Sequence, residues 1–279
     1  MKKYFLSIMA LLLVATALVS CDDDFDDIKV NYPEGFPMTG VWRSEYTNYS
    51  SWATNYENDK YEYTVIFSVD NEGKPTCTVL TYGKRGEDVE ARFLVMFNSN
   101  ELSYDAETGI LTASGKSIID ANSMAYVKKM NTDTEVSFAY QSDMNTLSMQ
   151  VNIDGDVVRV STLKPATIPN YNGYQLSGQD DDGKYYLVIM NYEETGIAAV
   201  ALAAEARNKL NSVKKIYSCS LQANGYRMVN VTTKEDGTTT TTEVLLTVNE
   251  KFNPVLVANG KTIPLTIAAS DPLKQSVFE

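Results

Sequence analysis

From Tyr61 onward the chain is written in short stretches that alternate apolar and polar residues, separated by turn-forming pairs. Tyr61 to Val69 alternates into Asn71-Glu72-Gly73, and Thr76 to Tyr82 returns from it. Leu147 to Ile153 runs into Asp154-Gly155, and Val157 to Leu163 leaves. Further on come Tyr185 to Tyr192, the turns Gln222-Ala223-Asn224-Gly225 and Lys234-Glu235-Asp236-Gly237, and Val255 to Ala258 joined through Asn259-Gly260 to Lys261 to Ile267. A period of two with Asn-Gly or Asp-Gly between runs predicts hairpins, because successive strand residues face opposite ways and these pairs accept the left-handed backbone of tight turns. The pattern predicts an all-β chain.

The pattern also recurs. Glu135 to Tyr140 can be laid on Glu243 to Val248, and each then reaches a glycine hairpin, at Gly155 or Gly260. Tyr63 to Val79 around Gly73 lies on Tyr186 to Leu202 around Gly196. Two hairpins in the same order predict two tandem antiparallel β units. The expected division is a leader over 1–20, an acidic tether over 21–36, a first β domain over 37–165, a second over 170–270 and a tail over 271–279. One segment departs from alternation: Ala203 to Leu210 is rich in helix formers, with Ala203, Arg207 and Leu210 on one side, which predicts a short helix inside a partial or degenerate second copy. Thr238 to Thr242 reads as the outer part of a strand with its hydroxyls in solvent.

The first residues break this reading as well. Lys2 and Lys3 precede the apolar run Tyr4 to Ser20, which ends in Leu18-Val19-Ser20-Cys21. This is the small-residue cleavage pattern before a cysteine that bacterial lipoproteins carry, so the mature chain is expected to begin at a lipidated Cys21. A spanning helix needs about 20 apolar residues, and here acidic residues follow at once. Asp22, Asp23, Asp24, Asp26 and Asp27 crowd behind the cysteine. That cluster resembles the acidic tag of surface-exposed lipoproteins of the Bacteroidetes and implies an outer-membrane, lipid-anchored protein facing the cell exterior. Pro33, Gly35 and Pro37 discourage regular structure in the tether.

Charge and chemistry narrow the function. The full chain carries a net −12, and loss of a leader holding two lysines and no acid takes the mature chain to −14, which disfavours nucleic acid and anionic membrane surfaces as partners. Histidine is absent, which removes Ser-His-Asp and Cys-His hydrolase machinery and histidine metal cages. Paired-carboxylate catalysis stays open, but no spacing singles out a pair, so the chain is expected not to be an enzyme and no cofactor is called for. Besides Cys21 there are Cys77 and Cys219, each alternating with Thr or Ser and so pointing to the apolar face of a strand; they are buried thiols or a bridge between the halves. Asp180-Asp181-Asp182-Gly183 suggests Ca²⁺, yet an EF-hand loop begun at Gly178 would put Ile189 where a bidentate Glu is needed. A solvated turn is the better reading and no metal site is expected.

At Thr39-Gly40-Val41-Trp42 the chain resembles the opening of lipocalin-like, or calycin-like, β-barrel domains. That resemblance implies a barrel with Trp42 plugging its closed end and Arg159 as a cation-π partner from the last strand. The matching start, Gly173-Tyr174-Gln175, lacks the Trp. Between Tyr46 and Tyr63 the chain gathers Tyr46, Tyr49, Trp52 and Tyr56 among Asn, Ser and Thr. Aromatic faces stack on sugar rings while amides and hydroxyls meet their hydroxyl groups, so these four are candidate ligand-binding residues; barrel-mouth filling is the alternative. The expected function is capture of an extracellular glycan or small amphipathic molecule. A structural or adhesive accessory subunit of an outer-membrane protein complex, a carboxylate-based glycosidase and an inhibitor of an extracellular enzyme are the alternatives.

Overall fold

A computed structural model of the chain describes residues 39–45, 47–48, 60–85, 88–121, 130–153, 155–192, 196–203 and 214–268. All of these belong to one compact unit, Tyr32–Glu279. The leader, Cys21, the acidic tether, the aromatic residues Tyr46, Tyr49, Trp52 and Tyr56, most of the expected helix and the tail lie outside the described residues.

The described chain is all β and forms two antiparallel sheets. The first comprises β1 (Gly40–Ser44), β2 (Thr47–Asn48), β3 (Lys60–Val69), β4 (Pro75–Arg85), β5 (Asp88–Asp105), β6 (Ile110–Ala121), β7 (Met130–Gln141), β8 (Thr146–Ile153) and β9 (Asp156–Ala166). From β2 on each strand pairs with the next, and β1 pairs with both β3 and β9, closing an eight-stranded barrel. Closure pairs β1 and β3 to β9 on both sides, and the two-residue β2 on one side only.

The second sheet runs through β10 (Gln175–Gln179), β11 (Tyr185–Asn191), β12 (Ile197–Ala203), β13 (Lys214–Gln222), β14 (Gly225–Thr233), β15 (Thr239–Val248), β16 (Pro254–Ala258), β17 (Lys261–Pro264) and β18 (Thr266–Ala268). The run expected over Lys261 to Ile267 is broken at Leu265: β17 pairs with β16, and β18 with β10. The break lets one stretch of chain face both ends of the meander, leaving this sheet a nearly closed barrel. The strands that the internal alignment matched hold equivalent places in both sheets: β3 and β4 with β11 and β12, β7 with β15, and β8 and β9 with β16 and β17. In that alignment the residue paired as Trp42 is with Val65 is Leu176, paired with Val188, rather than Gln175. An aliphatic side chain therefore stands where the first barrel has its indole.

Local chemistry explains the hairpins. Asn259 and Gly260 both adopt positive φ, 51° and 73°, between the facing residues Ala258 and Lys261, the geometry that matches strand twist in a two-residue turn. Asp180 Oδ1 accepts the Asp182 and Lys184 N–H groups, and Lys261 pairs with Asp180 and Asp182. The triple-aspartate stretch is a tight turn, and among the described residues no group of three acidic or cysteine side chains is placed to hold a metal ion.

Each barrel has its own core. Trp42, Phe67, Cys77, Phe138, Leu147, Met149 and Leu163 pack in the first, and Tyr217, Cys219, Met228, Leu246 and Ile263 in the second. The two thiols are free and lie in separate interiors; burial pushes Cys77 well above the ordinary thiol range and Cys219 up to about 12. Two strands, β3 and β4, serve both cores. Tyr63, Val65 and Phe67 of β3 face inward, while Ile66, with Leu80 and Tyr82 of β4, packs against the second core. Between them runs the connector 167–174. The Asn170 N–H donates to Thr64 Oγ1 (3.2 Å) and its Nδ2 to Glu62 Oε2 (3.0 Å), while Arg43 donates to Glu62 Oε1. The Tyr174 hydroxyl donates to the Thr81 carbonyl (3.0 Å) and accepts its N–H (3.1 Å).

Candidate functional site

The two ends of the first barrel differ. At one end three short turns, 70–74, 106–109 and 142–145, join β3 to β4, β5 to β6 and β7 to β8. Trp42 is buried near this end, with its ring edge-on to Tyr140 at 6.0 Å between centroids. Such a contact places a large apolar ring across the space between strands. The longest connections of this barrel, 49–59 and 122–129, leave from the opposite end. Asn48 and Lys60, which bracket the aromatic-rich segment, face each other in the ladder there.

The interior changes character along the same direction. On β1, inward Trp42 is followed by Ser44; on β4, Val79 by Thr81. On β7, Val136 gives way to Thr134, and on β9, Leu163 to Ser161, each step leading towards the end with the long connections. Tyr63 succeeds Val65 in the same sense, and its N–H donates to Ser44 Oγ (2.8 Å). Strand alternation brings these residues to one face, and their order brings hydroxyl groups to one end. A ligand entering there would meet hydroxyls first and aromatic and aliphatic carbon below, the mixed lining of a small-molecule site. Arg159 stands opposite Val151, six residues along β9 from Pro165, the register partner of Trp42; its side chain lies outside the described residues.

On the wall beside this end lies an open groove of about 520 Å³, lined by Glu101, Ser114, Lys116, Asp133, Glu135 and Asn152. Lys116 pairs with Asp133, and Asn152 Nδ2 donates to Glu135 Oε1 (3.4 Å). Three ladder irregularities border it, between Asn98 and Glu101, between Ser117 and Ile118, and between Val151 and Asn152. Bulges bend a strand and re-aim its side chains, which is how a flat barrel wall acquires a concavity. Three carboxylates and an amide give the groove hydrogen-bond acceptors for a hydroxyl-rich ligand, against one lysine charge. None of these residues stands out in the sequence, because Asp133 and Glu135 alternate with Thr134 and Val136 as on any solvated strand face.

No known protein family, curated protein or solved structure matches this chain.

Proposed function

We propose that this chain is a lipid-anchored outer-membrane lipoprotein of the bacterial surface, with a lipocalin-like first barrel that captures an extracellular glycan or small amphipathic molecule without turning it over. The observation that carries this reading is the polarity of the first barrel: short turns and Trp42 at one end, buried hydroxyls leading to the other. The segment between Asn48 and Lys60 carries Tyr49, Trp52 and Tyr56, side chains of the kind that stack on sugar faces. The adjacent groove supplies acceptors. The acidic body follows a leader over 1–20, after which Cys21 would carry the lipid; several acyl chains there would make a stable anchor and one would be marginal.

Two experiments test the parts separately. Mass spectrometry of the membrane-extracted chain is expected to find Cys21 as a lipidated N-terminal residue, and an unmodified Cys21 would overturn the anchor. A glycan-array screen of residues 36–279 is expected to return hydroxyl-rich ligands; a clean negative would turn attention to protein partners. One observation favours that second reading, an adhesive or accessory subunit. Residues 231–241, which include the end of β14 and the start of β15, are all exposed, with Val231 59% accessible, and form a two-stranded ribbon. Free strand edges of this kind accept a further strand from a partner.

A further inference from the structure

Where the connector meets the second barrel, polar atoms outnumber their partners. Tyr171, Asn172 and Tyr217 are all fully buried. Among the described residues, neither tyrosine hydroxyl and neither the nitrogen nor the oxygen of the Asn172 amide has a hydrogen-bond partner. The backbone brings Asn172 and Tyr217 towards one row of the ladder. Gly173, next to Asn172, donates its N–H to the Met190 carbonyl (2.9 Å); Met190 faces Ala198, and Ala198 faces Tyr217. The Tyr171 ring, on the connector, lies 6.3 Å from that of Tyr226 on β14, which faces Leu221, four residues along β13 from Tyr217. Ala198 is the small side chain of that row, set between Met190 and Tyr217.

A buried donor or acceptor left unpaired loses its hydration and gains nothing in return, and four such atoms would consume a large share of the margin by which a domain is stable. We infer that this end of the second barrel encloses ordered water hydrogen-bonded to the Tyr171 and Tyr217 hydroxyls and the Asn172 amide. The donor and acceptor inventory suits it. Burial, with the neighbouring Tyr226 adding to it at Tyr171, holds both phenols above their ordinary range, so each keeps a proton to donate and lone pairs to accept. The amide adds two donors and an acceptor, enough to meet the 2–4 bonds that a buried water makes. The surrounding core, Val188, Met190, Met228 and Leu246, is apolar and offers no countercharge to an ionic guest.

The sign of one isosteric substitution decides the matter. If water bonds the hydroxyl, Tyr217→Phe in the full chain breaks that bond and lowers the Tm by about 2–4 °C. If the hydroxyl is dry, the same change removes an unpaired polar atom, and an unchanged or raised Tm would overturn the inference. A crystal structure of the unmodified protein gives the second reading, independent of how the variant folds. Water within hydrogen-bond distance of Tyr217 Oη is expected, and carbon contacts alone around that oxygen would contradict it.

Discussion

Glu62→Ala is expected to lower the Tm by roughly 6–12 °C, corresponding to about 3 kcal/mol at the size of this unit. Glu62 sits on the outer face of β3 with its side chain 4% accessible, and its carboxylate serves Arg43 from β1 and Asn170 from the connector. Removing it takes the Glu62 acceptor from the buried Asn170 Nδ2, while Arg43, 25% accessible, recovers part of its hydration. The cost of a buried ion pair falls mainly on whichever partner is left behind. Glu62→Gln keeps an acceptor for Asn170 and should fall between wild type and alanine. Replacing the pair together, Arg43→Met with Glu62→Leu, should recover only the part of the loss that falls on Arg43, because Asn170 Nδ2 still loses its Glu62 acceptor. Thermal melts of the four proteins check the series, and an alanine shift below about 2 °C would mean that this junction contributes little.

Gly178→Ala is expected to open the seam of the second barrel at a cost of about 3 kcal/mol, the upper range for overpacking. A Cβ at this position of β10 would lie 2.0 Å from the Pro264 carbonyl oxygen and 3.1 Å from Leu265 Cδ2. The obstacle is backbone rather than a flexible side chain, so the strands themselves must separate. Pro264 and Leu265 are the residues at which the chain passes from β17 to β18, so the displacement falls on the ladder joining β18 to β10. Hydrogen exchange should show lost protection in β10 and β18 with β5 to β8 unaltered. Gly237, at φ 80° with open space where its Cβ would go, supplies the comparison: alanine there costs about 1 kcal/mol through backbone strain alone. Equal effects at the two sites would contradict the account of the seam.

The hairpins were legible because each is decided by residues in contact along the chain. Asn259-Gly260, Asn71-Glu72-Gly73 and Asp180 to Gly183 carry their own turn chemistry, and the two-residue period around them sets which face is buried. Even the correspondence of β7 with β15 could be read from alternation. What was not legible depends on distant chain. Glu62, Thr64 and Ser68 look like a solvated strand face, yet all three are buried. Asn170 covers Glu62 and Thr64, and Ser68 donates to the Lys251 carbonyl. A polar face can be buried when a remote segment brings matching donors and acceptors, and nothing local announces it. The groove escaped for a related reason: its shape comes from ladder irregularities, and Ser99, whose hydroxyl donates to the Ser114 carbonyl beside one of them, reads as an ordinary strand serine. β17 and β18 were read as one strand because the break at Leu265 is set by closure onto β10, not by a turn residue.

The proposed capture site joins the readable and unreadable parts of the chain at one end of one barrel. The measurement that tests it most directly is the affinity of the best array ligand for residues 36–279, with and without Trp52→Ala, taken by calorimetry alongside a melt of each protein. A site built on the aromatic segment predicts a loss of about 1–3 kcal/mol in binding, roughly 5- to 150-fold, with the Tm unchanged. Equal affinities in the two proteins would contradict it and remove the aromatic segment from the site.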